Sequence, residues 1–341
     1  MRQYRAILLA GASTLVLAAT NPATVLASDL PPRPAYLTKA PPPVRDRWTG
    51  WVEGGAAYLD GDPGVAGLND PPFDVFPHRW GWEAAAGVDY RFGATGWSVS
   101  AQFRYGGNGS ASASNNPIGI FLTGPFTTTP LPAVGTNSAT RKEHRWVADF
   151  MVGRDLGLGQ AMPNEVKFGV RVAQIRATTS GSASWSNVLP TCAVATSYCN
   201  LHRVDYNQTN EFLGVGPRIE LDGSIPLAGG WSFKYMGGAA ALYGRRKASQ
   251  TIAITDTSPT FTTLVFGSGG PIAAASSDNG FVFNADAMAG LSYAITPNAA
   301  LMVSYRFDGY WKALRGFDAT GSVTNLDRFY HGPMLRLTIT N

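Results

Sequence analysis

The residues of this 341-residue chain best able to do chemistry are four histidines, two cysteines, and carboxylates and cationic groups scattered through apolar stretches. His144 is followed by Asp149 and His202 by Asp205. A histidine beside a carboxylate at an outer rim is what a surface hydrolase needs, although a solvated or hydrogen-bonded histidine explains such positions more simply. His78 falls in a loop, and His331 precedes Gly332-Pro333, where a local backbone irregularity is expected. Cys192 and Cys199 lie close together in a Ser/Thr/Asn-rich stretch, and an oxidising compartment favours a disulfide that pins this loop. With only His202 nearby they supply too few ligands for a closed zinc site. No nucleophile motif, phosphate loop or metal-spaced His/Cys set occurs. The expectation is therefore no metal, no cofactor and no enzymatic role, with a barrel hydrolase as the remote alternative.

The charged residues tell more through their spacing. Between Arg79 and Phe92, Trp80, Trp82, Ala84, Ala86, Val88, Tyr90 and Phe92 occupy one phase, while Glu83, Asp89 and Arg91 occupy the other. Period-two alternation places the first set on one face of a strand and the second on the opposite face. Trp97 to Tyr105 repeats it with Arg104 on the polar phase. Downstream the same phase carries Arg145 and Asp149, Lys167 and Arg171, Arg218 and Glu220, Lys234, Asp286, Arg306 and Asp308, and Arg336. If the apolar face meets lipid, an arginine or lysine there costs roughly 2–4 kcal/mol near mid-membrane, so these charges point inward. Inside, they can line water as a pore wall or pair with one another and fill the space. Both outcomes stay open. The two signs balance, which predicts weak ion selectivity.

The elements that position them are about ten strands over 48–341, with twelve as the alternative if Thr251 to Phe266 adds a spanning pair; Pro259 and the lack of inward charges there favour an external hairpin. Connections alternate between short (93–96, 156–164, 223–230, 296–298) and long (60–78, 106–140, 178–200, 245–278, 312–325). That order is the signature of an all-β, transmembrane, antiparallel up-and-down barrel with short periplasmic turns and long external loops. Aromatic residues near strand ends, such as Trp97, Tyr105, Trp231 and Trp311, fit interfacial girdles.

Residues 1–27 read as a cleavable signal peptide, with Arg2 and Arg5 before an apolar run and Val25-Leu26-Ala27 as a small-residue cleavage site. Its removal takes two arginines from a formal charge of +4, so the basic balance is weak support for nucleic-acid binding. Residues 28–47 are Pro-rich and suit an extended periplasmic linker. The expected partners are outer-membrane lipid and lipopolysaccharide, the barrel-assembly machinery and further copies of the chain, with no nucleic acid. The chain ends in Asn341, on the lipid-facing phase of Leu337 and Ile339, where barrels commonly carry an aromatic residue read by that machinery.

FLGVGPRIELDGSIP (212–226) and SYRFDGYWKALRGFDATGSVTNLDRFYHGPMLRL (304–337) resemble the pore-forming outer-membrane family of the Legionella major outer-membrane protein type. The leader DLPPRPAYLTKAPPP is similar to the Pro-rich starts of many alphaproteobacterial barrels. The resemblance implies a porin-like barrel of the Gram-negative outer membrane for passive diffusion of small hydrophilic solutes and ions. The alternative is a closed structural or surface-interaction barrel.

Overall fold

The computed structural model describes residues 46–61, 80–124, 127–157, 164–187, 201–256, 272–317 and 322–341. Ten strands carry the fold: β1 (Arg47–Gly61), β2 (Trp80–Phe92), β3 (Trp97–Gly124), β4 (Thr127–Asp155), β5 (Asn164–Asn187), β6 (Leu201–Pro226), β7 (Trp231–Asp256), β8 (Ile272–Thr296), β9 (Ala299–Phe317) and β10 (Val323–Thr340). Each pairs antiparallel with its neighbours in sequence, and β1 pairs with β10 from Thr49 opposite Thr340 to Gly61 opposite Arg328, closing the barrel. Closure leaves no unpaired edge around the ring where all ten strands pair, the condition for putting strands into lipid. Ten strands, rather than twelve, follow from the direct pairing of β7 with β8 out to Ile252 opposite Ile272.

The alternation read from the sequence is the alternation of the wall. On β4, Phe150 is 61% exposed and Asp149 fully buried. Phe168, Val215, Phe283 and Val303 continue the exposed apolar band on other strands. Short 3-10 turns at Gly93–Thr95 and Ala228–Gly230 lie at the end that also holds the start of β1 and the finish of β10. Left-handed backbone at Gly96 and Gly229 makes these reversals tight enough, a conformation glycine adopts without steric cost. By the rule that short turns are periplasmic, this terminal end faces the periplasm.

Strands β3 to β8 run for 24 to 29 residues, far beyond the roughly 9–11 that cross a bilayer. Much of what the sequence suggested as long loops is therefore ladder: Ala111 pairs with Arg141, Ser182 with Asp205 and Gln250 with Ala274. These extensions are rich in Ser, Thr, Asn and Gly. Where neither face meets lipid the side-chain pattern loses its period, while the backbone still requires its hydrogen bonds. The signal peptide, most of the Pro-rich segment, His78, Pro259 and the pair Cys192 and Cys199 lie outside the described residues.

Candidate functional site: the barrel interior

The interior is stratified. At the terminal end lies a vestibule of 440 Å³, lined by Asp89, Arg91, Lys167, Glu220, Lys234 and Arg336 among others. Arg91 sits at the rim, 47% exposed and paired with Glu165 at 3.1 Å. Deeper, Lys167 bonds Asp89 at 3.3 Å and also contacts Asp222.

Above the vestibule the charged residues close ranks. Arg171 on β5 grips Asp149 on β4 through Nε (2.6 Å) and Nη2 (2.7 Å), and its Nη1 reaches Asp286 on β8 at 3.1 Å. Arg218 on β6 donates to both oxygens of Asp286 and contacts Glu220 on its own strand. Arg104 on β3 and Arg145 on β4 each reach Asp308 Oδ2 on β9 at 3.0 Å, and Arg145 also contacts Glu83 on β2. Arg306 on β9 forms an ion pair with Glu53 Oε1 on β1 at 2.8 Å, and Arg336 on β10 donates to Glu53 Oε2 at 2.8 Å. Several of these pairs join strands that are not neighbours in the sheet, so the side chains cross the lumen. Asn284 on β8 ties the lattice together, donating to Asp308 Oδ1 (2.7 Å) and to the Gly309 carbonyl (2.9 Å) while accepting from Arg171.

Toward the loop end the filling becomes apolar. Leu59, Val147, Ile175, Phe212, Leu242, Val282, Tyr310, Leu314, Leu326 and Tyr330 belong to one buried cluster, drawn from every strand except β2 and β3. Tyr310 and Tyr330 join the two layers: the first donates to Asp308 Oδ2 (3.3 Å), the second to Glu143 Oε1 (2.6 Å), and the Arg145 guanidinium lies 3.8 Å from the centre of the Tyr330 ring. Phe212, Ile175, Leu242 and Leu314 have no exposed surface.

The fifteen charged positions read from the sequence as inward all lie on the interior phase. Asp89, Arg91, Lys167, Glu220, Lys234 and Arg336 face the vestibule; Glu83, Arg104, Arg145, Asp149, Arg171, Arg218, Asp286, Arg306 and Asp308 form the lattice. The apolar layer and the links through Asn284, Glu143, Tyr310 and Tyr330 escaped that reading. Their signal is a break in alternation: Phe281-Val282-Phe283 and Phe212-Leu213 are apolar on both phases, which a wall between lipid and water does not need.

His144 and Asp149 project from opposite faces of β4, His144 outward beside Tyr105 and Asp149 inward onto Arg171, so they do not form a dyad. Asp205 is paired with Arg203 at 2.9 Å. His331 shows no irregularity of its own; it pairs regularly with Tyr58 and Phe307 and accepts or donates a 2.5 Å hydrogen bond with the Tyr305 hydroxyl in the outer aromatic belt. The register shift falls instead between Leu326 and Arg328, where residues 311–313 of β9 bulge opposite Asp327.

The profile of the Legionella pneumophila major outer membrane protein precursor family matches residues 55–340. The chain belongs to this family. It is thus an outer-membrane protein by family as well as by fold. No curated protein matches the sequence. Among solved structures, this family member is similar to the outer membrane protease OmpT from Escherichia coli (12% identity, 90% of this chain and 99% of that one, TM-score 0.41). It is also similar to a major outer membrane protein from Thermus thermophilus (14%, 86% and 99%, TM-score 0.25) and to the toluene transporter TodX from Pseudomonas putida (7%, 88% and 90%, TM-score 0.24). The expectation that the chain is not an enzyme is corrected by the first of these. A protease stands among its structural matches, at an identity that assigns no activity to this chain.

Proposed function

We propose that this outer-membrane protein is a self-sealed barrel, closed at rest by its own side chains, whose work lies in stabilising the envelope and presenting its long external strands. The observation that carries this reading is the lumen-crossing lattice of Arg171 with Asp149 and Asp286 and of Arg104 with Asp308, backed by the apolar layer around Phe212 and Leu242. A ten-stranded barrel is only slightly wider than the eight-stranded kind whose interior side chains fill it. Buried ion pairs of this density are costly to break singly, which keeps such a plug shut.

The second reading is a diffusion pore for small hydrophilic solutes, as the family resemblance implies. The vestibule favours it, and so do Arg104 Nε and Nη2 and Arg306 Nε, which are buried and face no protein acceptor. On this reading the lattice is a gate, and the apolar layer must also part. Single-channel recording of the protein in a planar bilayer under a salt gradient separates the two. A silent membrane with folded, heat-modifiable protein supports the sealed barrel; steady steps of reproducible size establish the pore and overturn it.

A further inference from the structure

The outer wall of β4 to β7 changes character within one cross-strand row. On the membrane side stand Trp146, Leu213 and Tyr243 above the apolar band. Trp146 Nε1 donates to Gln174 Oε1 at 2.5 Å, and Gln174 Nε2 donates to Glu211 Oε1 at 2.8 Å, a hydrogen-bonded belt along the edge of that band. Indole rings settle at the level of lipid headgroups. Immediately beyond, Lys142 and His144 on β4, Arg176 on β5, and Arg245 and Lys247 on β7 are exposed on the same outward phase. His144 is opposite Arg176, Arg176 opposite Glu211, and Glu211 opposite Lys247, so their side chains stand about 5 Å apart on one face. Arg245 lies opposite Leu213, one step nearer the membrane.

Four permanent cations thus face a single carboxylate, and that carboxylate is held by Gln174. Isolated interfacial lysines and arginines merely snorkel, which would spread them round the barrel. Among the described residues these cations gather on the β4 to β7 side. On the β10–β1–β2 side the corresponding edge carries Trp80 and His331, each packed at an angle against the Tyr58 ring.

We propose that this arc binds a phosphorylated glycolipid of the outer leaflet, its acyl chains lying on the Phe150 and Val215 wall and its phosphates held by Arg176, Arg245, Lys247 and Lys142. Guanidinium forks match phosphate oxygens two at a time, and the low-dielectric edge of a bilayer strengthens each contact. The site holds whether or not the lumen conducts.

Native mass spectrometry of the detergent-purified protein with bisphosphorylated lipid A, its dephosphorylated form and inorganic phosphate tests the assignment. Bisphosphorylated lipid A is expected to be retained at least about tenfold better than the dephosphorylated form, a difference of about 1.4 kcal/mol. Combined Arg176→Gln, Arg245→Gln and Lys247→Gln removes that preference, whereas Arg203→Gln, at an outward site already paired with Asp205, leaves it intact. Glu211→Gln raises retention by taking away the opposing charge, and it decides the matter if the triple variant fails to fold. Equal retention of both lipids, undiminished retention by the folded triple variant, or equal loss on Arg203→Gln overturns the proposal. Displacement of the lipid by inorganic phosphate alone overturns the lipid as occupant and leaves a free-phosphate site.

Discussion

Arg171 and Asp149 stand directly opposite each other on β5 and β4, and the guanidinium clasps both carboxylate oxygens while its remaining nitrogen crosses the lumen to Asp286. Neither Arg171 nor Asp149 has exposed surface. One side chain therefore joins a local sheet contact to the far wall, and it does so where water cannot compensate for its loss.

Replacement of Arg171 by Ala is expected to destabilise the barrel by about 3–5 kcal/mol, because it strips buried Asp149 of its bidentate partner and Asp286 of one of its two arginines. Urea unfolding in lipid vesicles measures this. A double-mutant cycle with Asp149→Asn should return a large coupling; additive effects would show that the pair contributes little.

On the sealed-barrel proposal the two interior layers act in series. Phe212→Ala with Leu314→Ala thins the apolar layer and leaves the lattice closed, so its bilayers should stay silent. Adding Arg104→Ser and Asp308→Ser, which removes the β3–β9 crossing, should produce conductance steps. A folded, heat-modifiable quadruple variant that never conducts would refute sealing by these two layers.

The lipid boundary is also measurable. Phe150→Arg, in the middle of the apolar run on β4, should cost about 2–4 kcal/mol, while Asn207→Arg on the wet extension of β6 should cost no more than about 1 kcal/mol. Equal costs, measured by reversible unfolding in vesicles, would mean that the membrane band is misplaced.

At the periplasmic end, outside the membrane-spanning strands, Asp46 accepts hydrogen bonds from the Tyr90 hydroxyl (2.6 Å) and from the Gly93 amide (2.9 Å), which hold its carboxyl below the usual aspartate value. A carboxylate with a depressed folded pKa contributes stability above its unfolded value, near pH 4, and loses it as pH falls through the folded value. Tyr90→Phe should raise the Asp46 midpoint in a carbon-detected NMR titration, and an unmoved midpoint would rule out the hydroxyl as the main cause.

The sequence alone determined the barrel and its phase, because lipid enforces a binary choice at every residue of the wall; ten strands rather than twelve took the pairing of β7 with β8. Trp82 and Glu83, or Phe150 and Asp149, cannot exchange faces without placing charge in hydrocarbon. It determined the external extensions poorly. At Ala139 to Arg145 and Ser180 to Ala183 the ladder persists after the periodic signal has ended, since both faces there are polar or small. Only the tertiary structure decided what the inward charges do. Whether Arg104 meets water or Asp308 depends on barrel diameter and on how far a side chain from β3 reaches toward β9, distances set by closure of the whole sheet and by no local pattern.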